Sequence, residues 1–272
     1  KINLLIIVIK KIYRLQINLL LEIYMSNLKN NFSKEEWINR VNLAACYHLA
    51  DYFGMSDIIW NHITAKTTSE KNTFLINSFG LRYDEITASN LVEVTLEGEV
   101  IDKESSINET GYIIHGAIHE ARKDINCVMH THSRAGLAIS CFEEGLKPMI
   151  QDAAIFYNRV SYHEWEGMST ERDECERLSK SLGDNKVMIL KNHGLLTCGN
   201  SISEAFMLMY YLDRACKNQL DVYSTGLKFN IPSENIMEYA AGQYEDPRFK
   251  LGKFEWPALL RLLDKNNSNY DK

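Results

Sequence analysis

The sequence predicts a single α/β domain. The chain has 272 residues, of which 45% are hydrophobic, and this is enough to bury one substantial core. Between residues 33 and 220, segments with helical spacing of apolar residues interleave with short β-type runs. They form no regular βαβ repeat, and the sequence contains neither G-x-G-x-x-G nor a P-loop motif, so a Rossmann domain and a nucleotide triphosphatase are not indicated.

The first half of the domain begins with a helix. Ser33 and Glu36 have the S-x-x-E spacing of a capping box, and apolar residues then recur at helical spacing over 37–52. Two β-type runs follow, at 73–76 and 91–96. We therefore predict a long opening helix followed by sheet strands.

The second half continues the alternation of helices and strands. The patterns predict helices at 112–121, 134–141 and 203–220, and strands at 127–132, 187–190 and 195–198. After residue 221 the pattern is thinner, and its strong apolar cluster lies at 254–260. We expect this cluster to be a docking segment and not a second domain.

The first 24 residues are richer in Ile and Leu than the rest of the chain. Their longest clean apolar run, Leu4–Ile9, is far shorter than the ~18 residues of a spanning helix. Basic residues follow it without a small-residue cleavage site, which argues against a signal peptide. Because a polar stretch follows Met25, we expect residues 1–24 to be an upstream extension. The domain would then span 25–272, with its core at about 37–220.

Charge and cysteine content narrow the range of partners. The net charge of −6 is spread along the chain, so there is no basic patch of the kind that binds nucleic acid. The six cysteines are widely spaced and include no C-x-x-C pair, which is typical of reduced thiols in a cytosol. Together with the short N-terminal apolar run, these features predict a cytoplasmic protein that binds neither nucleic acid nor membrane.

Three histidines have the pattern of a metal site. In VMHTHS, the period of two along a predicted strand places His130 and His132 on one face. His193 lies in an N-H-G loop between two apolar strands, where Gly194 lets the backbone turn. Three neutral imidazoles around Zn²⁺ leave a coordination position open, as in catalytic sites. Fe²⁺ and Mn²⁺ remain alternatives, as does a half-buried histidine pair without metal.

The other histidines have patterns that indicate packing. His48 lies on the apolar side of the first predicted helix, and His115 and His119 are one turn apart on another. All three are interpreted as hydrogen-bonded packing residues. His62 and His163 lie in loop or strand-end contexts, and no metal role is assigned to them.

Two blocks of sequence resemble the class II aldolase and adducin family. They are HGAIHEARKDINCVMHTHSRAGLAIS and KVMILKNHGLLTCGNSISEAF, in the order that the family shows. The resemblance implies a single three-layer α/β/α domain with a central, mostly antiparallel sheet. It also implies a homo-oligomer, often a tetramer. The family's metal ligands correspond to His130, His132 and His193.

The resemblance further implies that the metal acts as a Lewis acid on a small hydroxy-carbonyl compound, sugar phosphates among them. Aldolase members carry an acid residue four positions before a histidine. If His115 matches that histidine, the acid position is Gly111, which has no carboxylate. Glu109 and Glu120 are the neighbouring candidates for a general base, although helix-end or surface roles explain both.

The substrate-binding pattern of the aldolases is incomplete here. Where aldolase members have a glycine-rich G-N-x-S-type loop, this chain reads Trp60-Asn61-His62-Ile63-Thr64. Asn61, Ser78 and Gly80 are candidates to hydrogen bond a substrate oxyanion, and turn or strand-end roles explain them equally well.

Three functions therefore stay open. The first is a metal-dependent lyase or epimerase. The second is a non-catalytic, adducin-like interaction module of the actin or cytoskeletal type, which the missing carboxylate at Gly111 favours. The third is an Fe²⁺-dependent decarboxylase or oxygenase on the same fold, because three imidazoles suit several first-row metals.

Overall fold

The structure of the protein, a computed structural model, describes residues 31–69, 72–101, 105–167 and 172–272. The expected upstream extension, residues 1–24, lies outside the described residues.

A seven-stranded sheet is formed by the described residues, in the order β3-β2-β1-β4-β7-β6-β5. Its strands are β1 His62–Lys66, β2 Thr73–Ile76, β3 Val92–Thr95, β4 Cys127–Thr131, β5 Val160–His163, β6 Val187–Leu190 and β7 Gly194–Gly199.

The sheet is mixed, which corrects the expectation of a mostly antiparallel one. Five neighbouring pairs run antiparallel, and β5 pairs with β6 in parallel. A parallel pair needs a crossover connection, and here the chain between the two strands includes a helix, Arg172–Leu182. The α/β class itself is confirmed.

Eight α-helices accompany the sheet in the described part of the chain. They are α1 Lys34–Tyr52, α2 Glu109–Ala121, α3 Arg134–Ser140, α4 Gln151–Ala154, α5 Arg172–Leu182, α6 Ile202–Ser224, α7 Glu234–Tyr244 and α8 Glu255–Lys265. The predicted start of α1 is confirmed, because the Glu36 N–H donates to Ser33 Oγ at 3.1 Å. Strands β1 and β5 and helices α4, α7 and α8 were not predicted from the sequence.

Helices cover both faces of the sheet. Side chains alternate between the faces along a strand: Val128 of β4 packs in one apolar cluster with Ile118 of α2 and Leu178 of α5. Its neighbour Met129 packs in another cluster, with residues of α1 and α6 such as Phe206. With both faces covered, the ends of the strands are where polar side chains can meet a ligand.

The C-terminal segment packs on helices α1 and α6. The Trp256 ring lies 5.8 Å from that of Phe206, measured between centroids, and its Nε1 donates to Asn42 Oδ1 at 2.7 Å. Further along, the Tyr270 carbonyl accepts from the Ala88 N–H at 3.0 Å. The chain end is thus joined to the loop that precedes β3.

Neither disulfides nor membrane helices were found in the described part of the chain. Five of the six cysteines are free there, four buried and one exposed: Cys46, Cys127, Cys198 and Cys216, and the exposed Cys141. None of the described helices combines the length and the apolarity that crossing a membrane requires.

Replacing Trp256 by alanine should lower the free energy of unfolding by about 3 kcal/mol or more, because a buried indole and its hydrogen bond are lost. Phe254→Ala is the matched control: Phe254 is 68% exposed, whereas Trp256 is 8% exposed. The control should cost less than about 0.5 kcal/mol. Urea denaturation followed by circular dichroism measures both. Equal midpoints would mean that α8 does not unfold together with the domain.

Candidate metal centre

The predicted metal ligands are brought together where two paired strands end. His130 lies in β4 and His132 directly follows this strand, whereas His193 lies in the turn between β6 and β7. Because β4 pairs with β7, with His130 opposite Leu196, the turn sits beside the end of β4. The ring centroids of the three histidines are 4.7 to 5.1 Å apart.

The N-H-G turn has a backbone that glycine makes possible. Asn192 has φ +57° and Gly194 has φ +152°, and a Cβ at Gly194 would lie 2.6 Å from the Thr131 carbonyl oxygen. A side chain at this position would therefore push the turn away from β4. The Asn192 N–H donates to the Ser140 carbonyl at 3.0 Å and fixes the turn from its other side.

Hydrogen bonds set the tautomers of two of the rings. His130 Nδ1 lies 2.9 Å from the Leu195 carbonyl oxygen, and His132 Nδ1 lies 3.0 Å from Asp57 Oδ2. Both partners are acceptors, so each Nδ1 carries the proton. In a neutral ring the Nε2 atom then presents a lone pair. This is the arrangement in which a metal-ligating histidine is held by its second nitrogen.

The two Nε2 lone pairs face one another. His130 Nε2 and His132 Nε2 are 3.0 Å apart, and two acceptor atoms at this distance repel each other unless a proton or a metal cation lies between them. Burial, together with the neighbouring histidines, lowers the pKa of His130 well below its ordinary value and that of His193 to about 4. A metal cation between the two Nε2 atoms would relieve this repulsion.

The triad fits a divalent metal ion in size and chemistry. One ligand atom from each of His130, His132 and His193 can be chosen so that all lie within 4.8 Å of one another. Tetrahedral Zn²⁺ with bonds of ~2.0–2.1 Å separates its ligand atoms by about 3.3 Å. A small inward movement of the two most widely separated ligand atoms would bring them to this distance.

One of the candidate substrate-binding residues, Asn61, contacts the backbone of the triad. Asn61 is buried, and its Oδ1 lies 3.4 Å from the His132 backbone nitrogen. Its Nδ2 has no hydrogen-bond partner within the described chain, so it has a donor to offer. Ser78 and the exposed Gly80 lie in the turn that follows β2. Phe79 in that turn contacts Trp60, with ring centroids 5.8 Å apart.

Neither candidate general base has a described contact with the triad. Glu109 is the first residue of α2, and its side chain lies outside what is described. Glu120 is exposed, in the last turn of the same helix. It lies nine residues beyond Gly111, which is about 13 Å along a helix axis.

A further histidine lies between Gly111 and the triad. A Cβ on Gly111 would lie 3.0 Å from Cγ and Nδ1 of His62, so the imidazole occupies the space that a side chain at position 111 would need. The ring centroids of His62 and His130 are 5.6 Å apart. The sequence pattern predicted no metal role for His62. The spacing of two between His62 and Thr64, which puts both side chains on one strand face, is the sequence feature that could have indicated this position.

The packing role expected for two other histidines is confirmed. Thr64 Oγ1 lies 2.8 Å from His115 Nδ1 and 2.8 Å from His119 Nε2. Both rings are fully buried between α2 and the sheet. His115 also contacts His62, with centroids 4.6 Å apart, so a row of buried imidazoles extends inward from the triad.

Comparison with known sequences gives a consistent result. The model of the class II aldolase and adducin N-terminal domain matches residues 41–220. A Pseudomonas aeruginosa protein whose name assigns it provisionally to aldolase class 2 is 42% identical over 90% of this chain and 96% of its own length. Alpha-adducin of Rattus norvegicus is 39% identical over 86% of this chain, which spans 34% of that longer protein.

Solved structures show the same fold. An aldolase II superfamily protein from Pseudomonas syringae superposes with a TM-score of 0.85 at 40% identity, covering 90% of this chain and 99% of its own. L-Fuculose 1-phosphate aldolase from Glaciozyma antarctica superposes with a TM-score of 0.77 at 27% identity, covering 88% and 93%. By sequence and by fold, the chain belongs to the class II aldolase and adducin family.

Proposed function

We propose that this chain is a metal-dependent, class II aldolase-like enzyme that acts on a small hydroxy-carbonyl compound. His130, His132 and His193 would hold the cation, with Zn²⁺ as the first choice and Fe²⁺ or Mn²⁺ as alternatives. The observation that carries the proposal is the pair of Nε2 lone pairs 3.0 Å apart on His130 and His132. Because Nδ1 of each ring is already hydrogen bonded, a cation is the natural partner for the two Nε2 atoms.

The surrounding residues have defined tasks in this proposal. A divalent cation held by three neutral imidazoles keeps an open coordination position and supplies Lewis-acid polarisation of a carbonyl group. Asp57 and the Leu195 carbonyl hold the rings of His132 and His130 in the required tautomers. Asn61 Nδ2, buried and without a partner in the described chain, would donate a hydrogen bond to the substrate.

The substrate class, the oligomeric state and the cellular location are also proposals. L-Fuculose 1-phosphate aldolase, at 27% identity, supports a sugar phosphate as the first substrate class to test, in aldol cleavage or epimerisation. The family resemblance supports a homo-oligomer, with a tetramer as the expected size. A cytoplasmic location is proposed from the spacing of the cysteines.

An adducin-like interaction module is the second candidate function. Gly111 offers no carboxylate where the aldolases are expected to carry an acid, and alpha-adducin is 39% identical over 86% of this chain. In such a module the histidine triad would serve neither catalysis nor tight metal binding. Metal content therefore separates the two proposals.

The His132→Ala variant should lose its metal while it keeps the fold, because the ligand belongs to the site and not to the apolar core. Plasma mass spectrometry on protein purified anaerobically without a histidine tag should find about one divalent ion per chain in the wild type. His163→Ala is the matched control: His163 is a buried histidine on β5 that hydrogen bonds Ser181. The control should keep its metal.

Full metal content in the His132→Ala variant would refute the ligand assignment. An absence of metal from the wild type as well would favour the interaction module. Co-sedimentation with actin filaments would then test that module directly, and His132→Ala should co-sediment as the wild type does.

Asp57→Asn should weaken metal binding by about tenfold or more, because the charged acceptor that orients His132 is lost. Asp51→Asn is the control, since Asp51 is a nearby exposed carboxylate that accepts from Ser56 at 2.6 Å. Competition with a chromophoric chelator measures both affinities. Equal affinities for the two variants would show that Asp57 does not support the site.

A further inference from the structure

We propose that the exposed segment after α6 adds as a strand to the free edge of β5 in a second copy of this chain. Residues 225–231 form this segment, the arm. The inference builds on the homo-oligomer proposed above and assigns its contact surface. It does not involve the metal centre.

The arm carries large apolar side chains on the surface. All seven of its residues are exposed, and none belongs to a helix or a strand. Leu227, Phe229 and Ile231 alternate with polar residues, and they are 72%, 45% and 47% exposed. A period of two is the pattern of a strand with one apolar face. A single copy leaves this face largely in water, which marks it as a contact surface.

The backbone of the arm has unused hydrogen-bonding groups. The Leu227 N–H donates to Thr225 Oγ1 at 3.1 Å, whereas residues 228–231 make no backbone hydrogen bond with the rest of the described chain. Backbone N–H and C=O groups that are removed from water need partners. When protein covers the apolar face, the arm therefore requires a row of backbone groups, and the edge of a sheet provides one.

Strand β5 is such an edge. It lies at one end of the described sheet and pairs with β6 alone. The Lys191 N–H donates to the His163 carbonyl at 2.9 Å, so the backbone groups of His163 face β6. Those of every second residue face the same way, which leaves the groups of Val160 and Tyr162 directed to the open edge. An added strand would pair with these two residues.

A groove lies beside this edge. It has a volume of about 270 Å³ and is lined by Glu144, Leu146, Pro148, Tyr157, Val160 and Tyr162. The Tyr162 side chain is 38% exposed, and its hydroxyl accepts from the Leu146 N–H at 3.1 Å. The loop after α3 is thereby held beside the strand. Apolar side chains of the arm would lie in the groove and cover the Tyr162 ring.

The arm and the edge lie on the same side of the molecule. Phe229 contacts Tyr223, and Tyr223 contacts Phe142, with ring centroids 5.5 and 5.9 Å apart. Phe142 begins the loop that lines the groove. Helix α7, which follows the arm, is joined to the residue before β5, because Arg159 pairs with Glu238 at 2.7 Å. Two copies that face each other across a two-fold axis can therefore exchange arms, each arm filling the groove of the other copy.

Charge also favours a second copy as the occupant of the groove. The arm carries one charged residue, Lys228, and the loop that it would meet carries the exposed carboxylates of Glu143 and Glu144. Opposite charges therefore meet at the rim, while the apolar face of the arm enters the groove. Each half of the contact supplies what the other lacks, and one chain carries both halves.

Ile231→Asp should weaken self-association of the full chain by about a hundredfold or more, because each of the two symmetric contacts would bury a carboxylate without a partner. Sedimentation equilibrium over a range of protein concentrations measures the dissociation constant. Ile38→Asp is the matched control: Ile38 lies on α1 and is 51% exposed, close to the 47% of Ile231. The control should associate as tightly as the wild type.

Amide hydrogen exchange locates the contact. In the associated wild type, the amides of Val160, of Tyr162 and of the arm should exchange at least tenfold more slowly than in Ile231→Asp, since they are hydrogen bonded only in the assembly. Ile231→Val keeps an apolar side chain and should associate and exchange as the wild type does. Thermal unfolding verifies that each variant is folded.

Four results would each overturn the inference. They are a wild type that stays monomeric, an Ile231→Asp variant that associates as tightly as the wild type, an equal weakening by Ile38→Asp, and dissociation of Ile231→Asp with unchanged exchange at Val160 and Tyr162. The first would remove the proposed homo-oligomer as well. None of them alters the metal content of the wild type, which tests the proposed enzyme separately.

Discussion

The pairing of β4 with β7 is the constraint on which the candidate site depends. It places the end of the strand that carries His130 beside the turn that carries His193. The close approach at Gly194, where a Cβ would lie 2.6 Å from the Thr131 carbonyl, leaves little freedom for that turn. A rigid sheet end therefore positions the candidate ligands, as metal binding requires.

Hydrogen bonds orient the histidine rings that the backbone brings together. Asp57 and the Leu195 carbonyl engage the second nitrogens of His132 and His130, and burial lowers the pKa of His130 well below its ordinary value. The same contacts that orient the rings force two lone pairs to face each other at 3.0 Å. This arrangement is unfavourable by itself and becomes favourable with a cation, so binding energy and preorganisation come from the same contacts.

The parts of the fold that have strong local signals could be predicted from the sequence. Strands 73–76 and 187–190 have continuous apolar runs and match the structure at both ends, and α1 begins at its capping residue, Ser33. β1 could not be predicted, because His62 and Thr64 make its inner face polar and its stability comes from pairing with β4. The parallel β5–β6 pair depends on a crossover, which no local pattern records.

The absence of a carboxylate at Gly111 does not decide between an enzyme and an interaction module. A module without a cation would gain stability if an apolar side chain replaced either of the two histidines whose Nε2 atoms face each other. The chain instead has three candidate ligand imidazoles, two of them with orienting partners. Two facing acceptor nitrogens cost stability in an empty site and would bind a cation in an occupied one, which supports the proposed enzyme over the interaction module.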